Sequence, residues 1–207
     1  MVVKLYGFRI STATRRVAQI LHEKRVPFEF IDLDRATSQQ KSPEHLARQP
    51  FGQVPVLDDD GFIIYESRAI SRYIATKWAD RGDALIPLSN IQAIALFEQA
   101  ASVEVSNFDP YATRAVFQKV FKPKRGWGET DVAIFEEAVK ALHPKLDVYE
   151  ELTLVDLFHL PFGSELPETG VDFFTGRPNF TRWFKDITSR PSWIAVKDGV
   201  ESKPSYD

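Results

Sequence analysis

The chain contains no cysteine and a single methionine in 207 residues. Without thiols it can build no disulfide scaffold, no thiolate metal site and no mechanism that uses a protein sulfur as nucleophile. A reducing cytosol tolerates such a chain, and a cytoplasmic protein is the expectation. Charge of one sign is equally scarce. Lys and Arg total 26 against 29 for Asp and Glu, a net charge of −3, so the basic footprint of a nucleic-acid-binding protein is missing. The densest basic stretch, KVFKPKRGWG with Lys119, Lys122, Lys124 and Arg125, is broken by a proline and reads as a solvated helix end and loop. No apolar run approaches a membrane span, and MVVKLYGF turns straight into a strand with no signal-like stretch. The histidines, His22, His45, His143 and His159, lack metal-ligand spacing, so no metal site is expected. No nucleotide-type phosphate loop is present either.

What is present is an ordinary globular composition, 43% hydrophobic and 27% charged, long enough for one or two domains with a real core. Residues 1–79 mix strands and helices. Val2–Tyr6 and Phe28–Leu33 are rich in branched and aromatic residues and read as strands. Between them Val17, Ile20 and Leu21 recur at helical spacing, predicting a helix over Thr14–Lys24 that ends before Pro27. A helix between two strands implies a right-handed parallel unit. A short helix is expected from Pro43 to Arg48. Val54–Leu57 and Phe62–Tyr65 form a hairpin about Asp59-Asp60-Gly61, followed by a helix marked by Ala69, Ile70, Tyr73 and Ile74. Residues 80–88 (DRGDALIPL) have no period and read as a linker. Everything from 89 to 207 carries helix-period apolar faces, so a second, all-helical domain is expected.

Three short pieces invite a chemical reading. Ser11, Thr12 and Thr14 crowd the start of the first helix. One hydroxyl caps the helix, a contribution of about 1 kcal/mol, and a spare one can donate to an anion already favoured by the helix dipole. Gln53-Val54-Pro55 stands at the head of a strand. A cis bond before Pro55 would turn the Val54 amide and carbonyl outward, where an extended peptide can pair with them. Glu66-Ser67 opens another helix, with Ser67 as a good N-cap and Glu66 available to an amine. Two helix termini and a strand-edge dipeptide together suit a short, zwitterionic, anionic peptide.

In these residues the chain resembles cytosolic glutathione transferases, the phi-type (serine-containing) members in particular. The segments YGFRISTATRRV, PFGQVP and ESRAISRYI carry the likeness, and FEQAASVEVSNFDPYA, LTLVDLFHLPFG and RWFKDITSRPSW extend it over nearly the whole chain. The resemblance implies a thioredoxin-like α/β N-terminal domain, an all-α C-terminal domain and a homodimer in which Phe51 is an aromatic key. It implies glutathione as co-substrate with no permanently bound cofactor, and a hydrophobic electrophile or ligand as the second partner. By position, Ser11 matches the catalytic serine. Gln53, Val54 and the cis-proline Pro55 match the grip on the cysteinyl backbone, Glu66 and Ser67 the grip on the γ-glutamyl end, and Gln40 and Lys41 the glycyl carboxylate. Ile10, Phe117 and Phe121 are candidates to line the electrophile pocket.

The resemblance has departures. Gln40 stands where a histidine is frequent, and Arg9 where a proline is frequent. The chain also lacks the longer connector and Gly-Asp turn that usually precede LTLVDL. Thr153 and Asp156 nevertheless form a capping box, stapled by Leu152 and Leu157. A loop between Glu150 and Leu152 is therefore expected in the protein though absent from this sequence; an intact mass of 23.6 kDa would rule it out. Asp156 is read as a cap, not a catalyst. The implied activity is conjugation in detoxification, with glutathione-dependent hydroperoxide reduction as a further activity open to the same thiolate. The rival from another class is a ligandin-type carrier with little turnover. Retention of Ser11 favours the enzyme, because a carrier has no use for an ionised thiol.

Overall fold

A computed structural model of the chain describes residues 2–148 and 154–206. The first part begins with β1 (Val3–Gly7), α1 (Thr12–Glu23) and β2 (Phe28–Asp32), then a 3-10 turn (Gln39–Lys41) and α2 (Pro43–Arg48). It continues with β3 (Val56–Asp59), β4 (Phe62–Tyr65) and α3 (Ser67–Lys77). The sheet order is β2-β1-β3-β4. The β1–β2 pair is parallel, as the intervening helix requires, and the other neighbours are antiparallel. Asp60 and Gly61, both at positive φ, make the two-residue hairpin between β3 and β4.

Helices α1 and α3 pack on each other and on the sheet. Val17, Ile20, Leu21, Ile70 and Ile74 are fully or almost fully buried there with Leu5, Phe28 and Leu57, each burial contributing about 1.5–3 kcal/mol. Gly7 lets the start of α1 come down onto β1: a Cβ there would meet the Thr14 side chain at 2.5 Å. That close approach sets where the end of β1 presents its loop.

The chain divides into two compact units. The sequence reading assigned everything from 89 to 207 to the helical domain. In the structure the stretch from Arg190 onward groups with the first unit instead. Local chemistry accounts for the difference. The Arg190 guanidinium binds both carboxylate oxygens of Glu23, at 2.6 and 2.7 Å, and Asp83 at 2.6 Å. Farther on, Phe28 and Lys203 exchange backbone hydrogen bonds of 2.9 Å, and Ser202 Oγ accepts from Phe30 N–H. The tail thus covers the open edge of β2, a common way of blunting an exposed strand.

The second unit, Ser89–Ser189, is helical: α4 (Ile91–Val103), α5 (Asp109–Val116), α6 (Lys122–Lys124), α7 (Val132–Leu142), α8 (Leu154–Gly163) and α9 (Pro178–Thr188). A short α10 (Pro191–Ile194) opens the returning stretch. Two π-helical turns, Glu104–Phe108 and Phe117–Phe121, interrupt the α4–α6 run. Each stands just ahead of a proline, Pro110 or Pro123, whose ring needs room at the carbonyl four residues back. The expected loop between Glu150 and Leu152, Leu152 itself and the Thr153 cap lie outside the described residues. Asp156 is buried and accepts from the Trp183 indole N–H at 2.9 Å, which ties α8 to α9.

Candidate functional site

The β1–α1 junction is a turn closed by Ser11 N–H donating to Phe8 C=O at 3.0 Å. Ser11 then takes the N-cap position of α1 in extended geometry, and its Oγ accepts from Thr14 N–H at 3.3 Å. A serine hydroxyl has two acceptor lone pairs and one proton. Capping engages a lone pair and leaves the O–H free to donate. The half-buried Ser11 hydroxyl thus sits at the positive end of a 12-residue helix. Thr14 is fully buried against Gly7 and Thr12 is the first helical residue, so neither competes with Ser11 for that role.

The peptide bond between Val54 and Pro55 is cis. Tyr6 pairs with Val56, so the Val54-Pro55 dipeptide continues the β3 side of the ladder beside the end of β1. Both backbone groups of Gln53 are engaged inside the fold. Its N–H donates to Gln49 Oε1 at 3.0 Å, and its carbonyl lies 2.8 Å from Nε2 of the buried His45. The Gln53 side chain faces outward by contrast, being exposed. Among the described residues, neither backbone group of Val54 is taken up by the rest of the chain.

Lys41 and Gln40 lie on the 3-10 turn. Lys41 Nζ donates to Phe51 C=O at 2.8 Å, and its stem crosses Gly52 so closely that a Cβ there would meet Lys41 Cδ at 2.5 Å. Gln40 Oε1 is shielded and accepts no hydrogen bond among the described residues. The Gln40-Lys41 turn and the Gln53 segment are therefore joined in one patch. Phe51 beside them is 63% exposed, its ring edge-on to Tyr65, which excludes a core role within this chain.

One expectation needs correction at α3. Ser67 was read as its N-cap, but Glu66 holds that position, at φ 70°, with no side-chain cap bond. Ser67 is the first helical residue, 7% exposed, and its Oγ accepts from the buried Arg16 guanidinium at 3.0 Å. Glu66 in the cap position makes no side-chain cap bond to the first turn of α3. Arg16 also links the two helix starts, since it rises from α1.

Ile10 is 59% exposed in the turn before Ser11. Phe117 and Phe121 belong to the second unit, where each is half-buried. Phe117 packs 6.0 Å from the Trp127 ring and Phe121 6.4 Å from that of Phe162. Sequence reasoning missed Arg16, His45 and Gln49, the side chains that hold the site's backbone. The Arg15-Arg16 pair at a helix start was the one available signal. Among the described residues no group of His, Asp or Glu is arranged to hold a metal ion, and no helix is long and apolar enough to cross a membrane.

Relatives agree with this geometry. Residues 1–76 match the family model described as Glutathione S-transferase, N-terminal domain. The Glutathione S-transferase hmp2 of Hypomyces subiculosus is 43% identical, over 94% of this chain and 97% of that one. That match spans 208 positions, more than the residues of this chain it covers, so this chain is the shorter of the two somewhere within the matched span. The crystal structure of glutathione transferase F7 from Populus trichocarpa superposes with a TM-score of 0.87 at 36% identity, covering 94% of this chain and 97% of that one. Glutathione S-transferase I from maize, solved in complex with an atrazine glutathione conjugate, gives a TM-score of 0.85 at 30% identity, covering 95% and 97%. With a serine-capped first helix, a cis-proline at the neighbouring strand and full-length relatives of one kind, the chain belongs to the glutathione S-transferase family, among its phi-type members.

Proposed function

We propose that the protein joins the thiol of glutathione to a hydrophobic electrophile, with Ser11 donating a hydrogen bond to the reacting thiolate. The observation that carries this reading is the Ser11 hydroxyl, which caps α1 through its oxygen and keeps its proton. A free thiol with pKa near 8.5 is only about 3% ionised at pH 7. Lowering it by about two units means stabilising the thiolate by roughly 2.7 kcal/mol. One charge-assisted hydrogen bond supplies about 1.5–3 kcal/mol and the helix terminus adds about 0.3–1. The thiolate then forms a carbon–sulfur bond to the electrophile as the leaving group takes its electron pair. Serine acts only as a donor, so it needs no His–Asp relay.

Around that thiol the peptide has a ready frame. The free Val54 backbone groups are suited to pair with the cysteinyl residue as an added strand, with the Gln53 side chain beside it. The γ-glutamyl end fits the uncapped start of α3, its carboxylate on the Ser67 amide and its amine on Glu66. Lys41 and Gln40 offer a cation and an amide to the glycyl carboxylate. Ile10, exposed beside Ser11, is proposed to face the electrophile. Pairing through the exposed Phe51 would make a homodimer. A thiol co-substrate suits a reducing compartment such as the cytosol.

A conjugation assay with glutathione and a small aryl halide tests the reading. Saturable, glutathione-dependent thioether formation is expected. Tight binding of glutathione and of hydrophobic ligands with no turnover across several electrophile classes would instead make the protein a carrier.

A further inference from the structure

The turn that presents Ser11 has two central residues, Arg9 and Ile10, closed by the Ser11 to Phe8 hydrogen bond. Ile10 is mostly exposed and restrains little. Arg9, by contrast, has every polar group engaged. Its N–H donates to Asp32 Oδ1 at 3.2 Å, at the end of β2. Its carbonyl accepts from Val200 N–H at 3.0 Å. Its guanidinium pairs with the Glu201 carboxylate. Two of these three partners come from the returning C-terminal stretch, nearly the whole chain length away.

Gly199 shows how closely that stretch fits the arginine. At φ 135° it lies against the Arg9 side chain, and a Cβ there would meet Arg9 Nε at 2.7 Å and Cγ at 2.8 Å. The same stretch is fastened to α1 just beyond the turn: Arg15 donates to Lys197 C=O at 2.8 Å and lies over the Trp193 ring at 5.5 Å. Arg9, before Ser11, and Arg15, in the first turns after it, are therefore both held by one segment, while Ser11 keeps its hydroxyl for the ligand. A hydroxyl that must meet a sulfur within a few tenths of an ångström needs its backbone held from outside, because hydrogen-bond strength falls steeply with misalignment.

We propose that Arg9 is a positioning residue for Ser11, clamped by Gly199, Val200 and Glu201 of the C-terminal segment. This rests on the reading of Ser11 as thiolate donor. Arg9 does not touch the thiol; it acts through the turn. The ion pair with Glu201 is largely exposed and is the weakest part of the clamp. The backbone bond and the close fit over Gly199 are the stronger parts.

The test compares Arg9→Ala, Gly199→Ala, their double variant, Glu201→Ala and the charge swap Arg9→Glu with Glu201→Arg. Thiolate absorbance of bound glutathione and the separate values of kcat and KM are followed against pH, with Ser11→Ala alongside. Arg9→Ala and Gly199→Ala should each raise the bound thiol pKa by about 0.7–1 unit and lower kcat about three- to fivefold near pH 6.5, with KM for glutathione within about twofold. The double variant should match Arg9→Ala in thiol pKa and kcat, since the clash has lost its partner, while its stability falls further because alanine is strained at φ 135°. Glu201→Ala should cost about twofold, recovered by the charge swap. If Gly199→Ala does not fold, the Arg9 and Glu201 variants decide. An unchanged thiol pKa and kcat in Arg9→Ala, while Ser11→Ala loses the depressed pKa, overturns the positioning role alone. A depressed pKa that survives Ser11→Ala overturns the underlying reading of Ser11, and this one with it.

Discussion

Helices α1 and α3 each begin at a serine, as does α2, where Ser42 accepts from His45 N–H at 3.2 Å, and the fold treats the hydroxyls of α1 and α3 differently. At α1, Ser11 is the cap, accepting from Thr14 N–H with its proton unassigned. At α3, Ser67 lies one residue inside, and Arg16 from α1 takes its oxygen. One serine is left able to donate to a ligand through its side chain. The other serves as an anchor for the helix, leaving that terminus to act through its backbone amides. The difference comes from a single backbone setting, Glu66 at positive φ in the cap position, and from a buried guanidinium next door. Residue type alone therefore does not decide which serine can do chemistry; each oxygen accepts one hydrogen bond, and what decides is access, since Ser11 is half-buried while Ser67 is buried with a guanidinium against it.

The largest effect should come from Ser11. Ser11→Ala should lower turnover about 25-fold at pH 7, the loss of about two pKa units of thiol activation. It should also cost about 1 kcal/mol of stability from the missing cap. Ser11→Asp sharpens the contrast. A carboxylate restores the cap but holds no proton at neutral pH, so the urea midpoint should recover while turnover does not. A Ser11→Asp enzyme as active as the parent would break the distinction between cap and donor.

The far end of α1 is a control for effects on stability without chemistry. Burial, with the nearby Lys203 ammonium, holds His22 down to about 4, against an opposing pull from Glu23. Phe28 packs edge-on against its ring, and Tyr206 Oη lies 2.8 Å from Nδ1, its own pKa pushed up by burial. Folding thus lowers the His22 pKa below its unfolded value near 6.5. Between these values the unfolded chain binds more protons, so stability falls as pH drops from 6.5 towards 4. At a half-buried site this amounts to about 2 kcal/mol. Urea midpoints across that range should flatten in His22→Gln, while the thiol pKa of bound glutathione stays that of the parent.

The smallest effects belong to the second serine. Ser67→Ala removes a hydrogen bond to a buried cation, a loss of about 1.5–2 kcal/mol in stability. It should raise KM for glutathione a few-fold and leave the thiol pKa unchanged. A shifted thiol pKa in Ser67→Ala would mean the two helix starts do not divide their labour as described.

Much of this was legible beforehand because the signals are local. Hydrophobic spacing placed α1 and α3 within about two residues, Pro43 marked α2, and Asp60-Gly61 marked the hairpin. Long-range partners were not legible. Arg16 meets a serine 51 residues away, and no sequence spacing announces a buried guanidinium. The tail DGVESKPSYD carries no local signal that separates it from the helical domain to which the sequence assigns it. Its anchors, Arg9 and Phe28, are visible only once the chain has returned to them. Asp156 reads as the partner of a Thr153 cap that lies outside the described residues, whereas the structure shows it holding the Trp183 indole, a use that a four-residue motif cannot contain.

The most direct test of the central claim is ultraviolet difference absorbance of bound glutathione, titrated from pH 5 to 9 in the parent, Ser11→Ala and Ser67→Ala. The account predicts a thiolate band that forms below pH 7 in the parent and in Ser67→Ala, and moves to about pH 8.5 in Ser11→Ala. A band that stays below pH 7 without the Ser11 hydroxyl, or one near pH 8.5 in the parent itself, would contradict it.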